Sequence, residues 1–156
     1  MSISEVEQEV QSLTISREVV IAAPIEIAFE AILEQVGPGC EMPGGKPFPM
    51  VLEARPGGRW YRDLGGDAGH LWGHVQVIKP PTLLEICGPL MMSYPAMNHL
   101  QYRLKAEAGV TRLEFSHRAI GAITPDFRAG LHKGWEYWLD RIRARGEGKS
   151  REESHR

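Results

Sequence analysis

The spacing of hydrophobic and polar positions changes several times along this chain, and each change marks an element. From Leu13 to Ala22 β-branched residues (Thr14, Ile15, Val19, Val20, Ile21) dominate, which predicts a strand. Pro24 then stands where the first residue of a helix is tolerated, with Glu26 in the first turn. Ile25, Phe29, Ile32, Leu33 and Val36 repeat at helical spacing, so a helix over 24–36 follows, stopped by Gly37. Residues 37–49 hold four glycines and four prolines; such a long connection inside a domain suggests a lid or pocket rim. Short strands are predicted over 50–55, 59–63, 70–79 and 82–87, with Pro56-Gly57-Gly58, the segment 64–69 and Pro80-Pro81 as the breaks. After an irregular stretch over 88–97, a hairpin over 98–107 and 110–119 turns at Ala108-Gly109. The last element is a long helix from about Pro125. Phe127, Leu131, Trp135, Trp138, Leu139 and Ile142 form one apolar stripe on it, while Gly130 and Gly134 each cost about 1 kcal/mol against alanine.

Successive strands with short turns give an antiparallel sheet, and one apolar-striped helix must cover one face of it. The aromatics follow the same plan. Trp60 and Trp72 fall in strands, Tyr102 and Phe115 in the last hairpin, and Trp135 and Trp138 on the final helix. A curved sheet closed by that helix turns them toward one interior, either a filled core or a cavity for an apolar ligand.

Composition narrows the function classes. A chain of 156 residues is read as one domain. The expected organisation is a flexible lead-in over 1–12, a single domain over 13–145 and a flexible charged tail over 146–156. With 18 Lys+Arg against 20 Asp+Glu, net charge gives no reason to expect nucleic acid or an anionic membrane. No apolar run approaches the ~18 residues of a membrane span, and residues 1–12 lack a secretory core, so the chain reads as cytoplasmic. Cys40 and Cys87 form no CxxC pair and are expected as reduced thiols. His70 and His74 lie roughly 13 Å apart along a strand, too far to share a metal. With no HExxH and no cysteine cluster, no metal or other cofactor is implied.

Five segments together resemble a known family: REVVIAAPIEIAFEAI, PGGRWYRD, GHVQVIKPPTLLE, NHLQYRLKAEAGVTRLEFSHRAIG and GWEYWLDRI. Their order and spacing, over about residues 13–145, resemble the START-like (SRPBCC) superfamily of helix-grip proteins, in the branch similar to the C-terminal domain of activator of Hsp90 ATPase. The resemblance implies an α+β helix-grip fold. A curved antiparallel sheet of six or seven strands wraps around a long C-terminal helix, with a short helix after the first strand and a cavity between sheet and helix. The superfamily uses that cavity for lipids, sterols, hormones, polyketides and aromatic substrates.

Strand alternation selects the inward rows of the last hairpin as Leu100, Tyr102 and Leu104 on one strand and Leu113, Phe115 and His117 on the other. On the strand over 70–79, Leu71, Gly73, Val75 and Val77 oppose Trp72, His74, Gln76 and Ile78, and the pattern does not choose between them. The expected ligand-contacting set is Trp60, Trp72, Tyr94, Leu100, Tyr102, Phe115, His117, Leu131, Trp135 and Trp138, each with core packing as the plainer alternative. Met91 and Met92, beside Tyr94, suit an adaptable apolar wall or a simple filler.

Three functions follow. The first is binding of a small hydrophobic or aromatic molecule. The second is a cyclase, dehydratase or hydrolase acting on an aromatic or polyketide-like substrate, with His117 and Tyr102 as an acid/base pair joined by Asp63 or His74. The third is a protein-interaction module like the Hsp90-activator domain, although those activators carry a further N-terminal domain not found in this sequence. Exposed sheet edges also admit a homodimer.

Overall fold

The computed structural model describes residues 2–156. Strand β1 (Gln11–Ile21) leads into helix α1 (Ile25–Val36), and β2 (Glu41–Met42) and β3 (Lys46–Pro47) make a separate small ribbon. Then come β4 (Val51–Leu52), β5 (Arg59–Gly65), β6 (Ala68–Lys79), β7 (Leu83–Gly88), β8 (Ala96–Glu107), β9 (Val110–Gly121) and helix α2 (Pro125–Ser154). The main sheet has seven strands in the order β1-β9-β8-β7-β6-β5-β4, every pair antiparallel. This is the α+β helix-grip arrangement, a curved sheet holding one long C-terminal helix.

The last hairpin follows strict alternation. Leu100, Tyr102 and Leu104 on β8 and Leu113, Phe115 and His117 on β9 are all buried, while Arg103 and Arg118 face solvent. Strand β6 does not alternate, and its pairing shows why. Trp60 pairs with Gly73 but Tyr61 pairs with Leu71, so Trp72 is an extra residue opposite β5. This bulge lets Trp72 and Val75, three positions apart, both be buried. Neither of the two alternating sets read from the sequence therefore describes the inner face.

Gly73 and Gly88 meet where β6 and β7 come closest. A Cβ on Gly88 would sit 2.4 Å from Gly73 Cα and from Trp72 O, and one on Gly73 would sit 2.6 Å from Cys87 O. The close approach carries Leu90 N to Trp72 O, at 2.8 Å, and so fixes the start of the segment between β7 and β8.

The segment 146–156, expected as a flexible tail, instead continues α2 to Ser154. Two contacts hold the extension. Gly146 is buried against β1 and α1, where a Cβ would lie 3.1 Å from Ile21 Cγ2 and 3.7 Å from Ala31 Cβ. Glu147 Oε2 accepts from Ala22 N at 2.8 Å and so ties the helix to the β1–α1 corner. Small residues on both helices, Ala28, Ala31 and Gly146, permit this crossing.

The two edges of the sheet differ. β4 is two residues long, whereas β1 runs for eleven and is paired only on its β9 side.

Gly88→Ala should destabilise the protein by about 1–3 kcal/mol, because the added methyl meets backbone that cannot yield. Gly130→Ala, on α2 with nothing within 4 Å of the new methyl, should stabilise it by up to about 1 kcal/mol. Urea midpoints moving in opposite directions for the two variants would bear this out. A neutral Gly88→Ala would refute the close approach of β6 and β7.

Candidate functional site

An apolar groove of about 300 Å³ opens between the N-terminal half of α2, the β2–β3 ribbon and the segment after β7. Trp60 of β5 and Trp72 of β6 line it from the sheet. Leu131, Trp135 and Trp138 line it from α2, together with Phe127, Gly130 and Gly134. Met42 and Pro43 of the ribbon and Leu90 and Met91 of the segment after β7 complete the lining. Asp126, in the first turn of α2, is the one charged residue among the described lining. The volume lies at the lower end of the ~300–1,000 Å³ usual for small-ligand sites. Pro43, Met91, Asp126 and Gly130 are exposed, so the groove has an open mouth, while the four tryptophans are buried and form its floor.

The indoles pack edge to face. Trp60 meets Trp72 at 82° and 5.1 Å, Trp60 meets Trp138 at 79° and 6.4 Å, and Trp135 meets Trp138 at 79° and 5.7 Å. Each indole N–H is bonded to a group outside the groove lining. Trp60 Nε1 donates to Val36 O at 2.6 Å and Trp72 Nε1 to His70 Nδ1 at 3.2 Å. Trp135 Nε1 donates to His117 Nδ1 at 3.0 Å and Trp138 Nε1 to the Tyr102 hydroxyl at 3.1 Å.

The Trp135 bond also settles the state of His117. An indole N–H can only donate, so Nδ1 is the acceptor and the ring proton sits on Nε2. That proton is donated to Asn98 Oδ1 at 2.7 Å, and Asn98 Nδ2 in turn donates to Gly88 O at 3.1 Å and Pro89 O at 3.3 Å. His117 is fully buried, and burial pushes its pKa down from 6.5 to about 4. It is a neutral, satisfied link in a relay from α2 to the segment after β7.

Half of the expected contact set therefore lines the groove: Trp60, Trp72, Leu131, Trp135 and Trp138. Leu100, Tyr102, Phe115 and His117 do not. They face inward but lie one layer deeper, with Phe115 packed 4.7 Å from the Trp135 ring. Tyr94 stacks edge-on against Phe127 at 6.1 Å, outside the lining. The acid/base grouping fails on geometry. His117 and Tyr102 are bonded to Trp135 and Trp138 behind the floor, and burial pushes the Tyr102 phenol well up. Asp63 and His74 are exposed and do not line the groove. Cys40 is buried, which pushes its thiol up to about 12 and keeps it protonated. Among the described residues, no group of three or more His, Cys, Asp or Glu converges as a metal site would require.

Sequence reasoning missed Asp126, Phe127, Met42, Pro43 and Leu90 as lining residues. The Gly/Pro-rich composition of 37–49 did signal a rim, and the ribbon supplies it. The ribbon is strapped to α2. The Tyr137 hydroxyl accepts from Gly45 N at 3.0 Å, Arg141 pairs with Glu41 at 2.9 Å, and Arg145 donates to Gly39 O and to Gln35 Oε1. Gly130 and Gly134, costly inside a helix, line the same groove. A Cβ on either meets nothing within 4 Å, so they leave open space on the groove side.

The sequence profile of the family described as activator of Hsp90 ATPase homolog 1-like protein matches residues 46–147, from the ribbon to Glu147. The chain belongs to that family. The helix-grip architecture is also shared with solved structures at low identity. An uncharacterised protein from Rhizobium leguminosarum superposes with a TM-score of 0.69 at 18% identity, covering 91% of this chain and 99% of its own. A protein from Chromobacterium violaceum gives 0.65 at 20% identity, over 86% of this chain and 96% of its own. CalU16 from Micromonospora echinospora gives 0.56 at 20% identity, over 91% and 94%. Such identities speak for fold alone. No curated protein matches the chain. No helix among the described residues is long and apolar enough to cross a membrane.

The state of His117 has a measurable consequence. Its pKa is lower in the folded protein than in the unfolded chain, so the unfolded chain binds more protons between pH 6.5 and 4. Its contribution is complete above about pH 6.5 and is lost as pH falls toward 4, by on the order of 3 kcal/mol. Urea unfolding of wild type across this range should show that loss, and His117→Gln should flatten it while being less stable than wild type at pH 7. An unchanged acid limb in the variant would mean that His117 is not held neutral.

Proposed function

We propose that this family member binds a small apolar molecule in the groove between α2, the sheet and the β2–β3 ribbon. The observation that carries the reading is the pair Gly130 and Gly134. Both lie inside a long helix, where each costs about 1 kcal/mol against alanine, and neither lies within 4 Å of anything a methyl would meet. Helix stability is given up where the groove needs room. A core position would be filled instead, because interiors pack to crystal-like density. Four indoles, Phe127, Leu131 and Met91 supply a wall that a flat apolar body can cover, and the methionine adapts to its shape.

An acid/base reaction through His117 and Tyr102 draws no support from their positions, since Trp135 and Trp138 stand between them and the groove. The binding reading accounts for the apolar lining with no further chemistry.

A neutral fluorescent probe, N-phenyl-1-naphthylamine, should bind wild type saturably at one site. Gly134→Trp fills the groove from the helix side and should weaken that binding at least tenfold, with the circular dichroism spectrum kept and Tm equal or higher. Equal affinity in the two proteins would place the probe elsewhere and end this reading.

A further inference from the structure

We infer that the groove selects an organic cation, an apolar body carrying an ammonium group, and discriminates against carboxylates. This rests on the binding reading above and adds the chemical class of the ligand.

The inference starts from the indole hydrogens. A tryptophan has one polar hydrogen. In Trp60, Trp72, Trp135 and Trp138 each is bonded to a group outside the groove lining: Val36 O, His70 Nδ1, His117 Nδ1 and the Tyr102 hydroxyl. What these rings offer to the groove is carbon. Among the described residues no lysine, arginine or histidine lines it, and neither does any serine, threonine, asparagine or glutamine. A carboxylate entering the groove leaves water and meets no side-chain donor to replace it, which is a heavy desolvation cost.

A cation meets the opposite situation. Aromatic faces carry negative charge density and attract ammonium groups, tryptophan most strongly. Three near-perpendicular contacts, at 82°, 79° and 79°, pack the indoles edge to face into one tryptophan-rich floor that lines the groove. The one charged lining residue is Asp126, an exposed carboxylate at the mouth. It stands on the first turn of α2, where the helix contributes roughly half a positive charge. The full negative charge of the carboxylate outweighs that, and the Phe127 N–H of the same turn is already bonded to Thr124 Oγ1 at 3.2 Å. Asp126 is thus the one formal charge that the lining itself presents to a ligand head. The cation need not be deeply buried: its apolar body fills the floor and its head lies between the indoles and the carboxylate.

The test uses three ligands with one body: 3-phenylpropyltrimethylammonium, its uncharged tert-butyl isostere and 4-phenylbutanoate. Affinities are read from tryptophan fluorescence at low ionic strength, on wild type and Asp126→Asn. The cation should bind wild type about tenfold or more tighter than the carboxylate, and tighter than the isostere. Asp126→Asn should weaken the cation about threefold or more and leave the isostere unchanged, and added salt should erode the same difference. A carboxylate that binds as well as the cation, or an isostere that matches it, would overturn the cation assignment while leaving apolar binding intact. Failure of all three ligands to bind would overturn the binding reading and this inference with it.

Discussion

The relay from Trp135 through His117 and Asn98 to the carbonyls of Gly88 and Pro89 is the constraint on which the site depends. It joins three things that do not touch in sequence: the long helix, the last hairpin, and the segment carrying Leu90 and Met91. Every donor in it faces an acceptor, and only one histidine tautomer satisfies both neighbours. Because the chain is buried, any other arrangement leaves an unpaired polar group at a cost of about 1–3 kcal/mol. The helix-side lining of the groove and the lining from the segment after β7 are thus positioned by a single set of bonds.

Around that relay, the same side chains act as core and as site. The tryptophans seal the interior with their polar edges and show the groove their carbon. On the far side, the arginines and the tyrosine of α2 hold the ribbon down by contacts to Glu41, Gly39 and Gly45. The hydrophobic effect makes the floor, while hydrogen bonds and ion pairs hold the sides. This division explains how a groove can stay open in a chain of ordinary hydrophobicity without collapsing onto itself.

Much of this was legible in the sequence. The apolar stripe of α2 and the inward rows of β8 and β9 follow from period alone, and the family was visible as a resemblance in the order and spacing of five sequence segments. Three features were not legible. Strand β6 could not be faced, because a bulge at Trp72 breaks the alternation that such a reading assumes. Depth could not be read either. Period tells that Tyr102, Phe115 and His117 point inward, as Trp135 does, but not that they lie one layer behind it. The continuation of α2 past residue 145 was hidden because its charged residues resemble a solvated tail. What holds it is a glycine pressed on α1 and a bond from Glu147 to Ala22, 125 positions away.

The unequal edges of the sheet carry a consequence for self-association. Strand addition needs a free run of backbone donors and acceptors; β1 is an edge strand of eleven residues, with Ser12 O already bonded to Arg128, and β4 is one of two. A sheet with two usable edges can propagate head to tail into a fibre. One with a single usable edge can pair only with the like edge of another copy, and a two-fold arrangement of that kind closes on itself. Any strand addition through β1 would therefore close at two copies, with no second long edge left for a fibre to grow from.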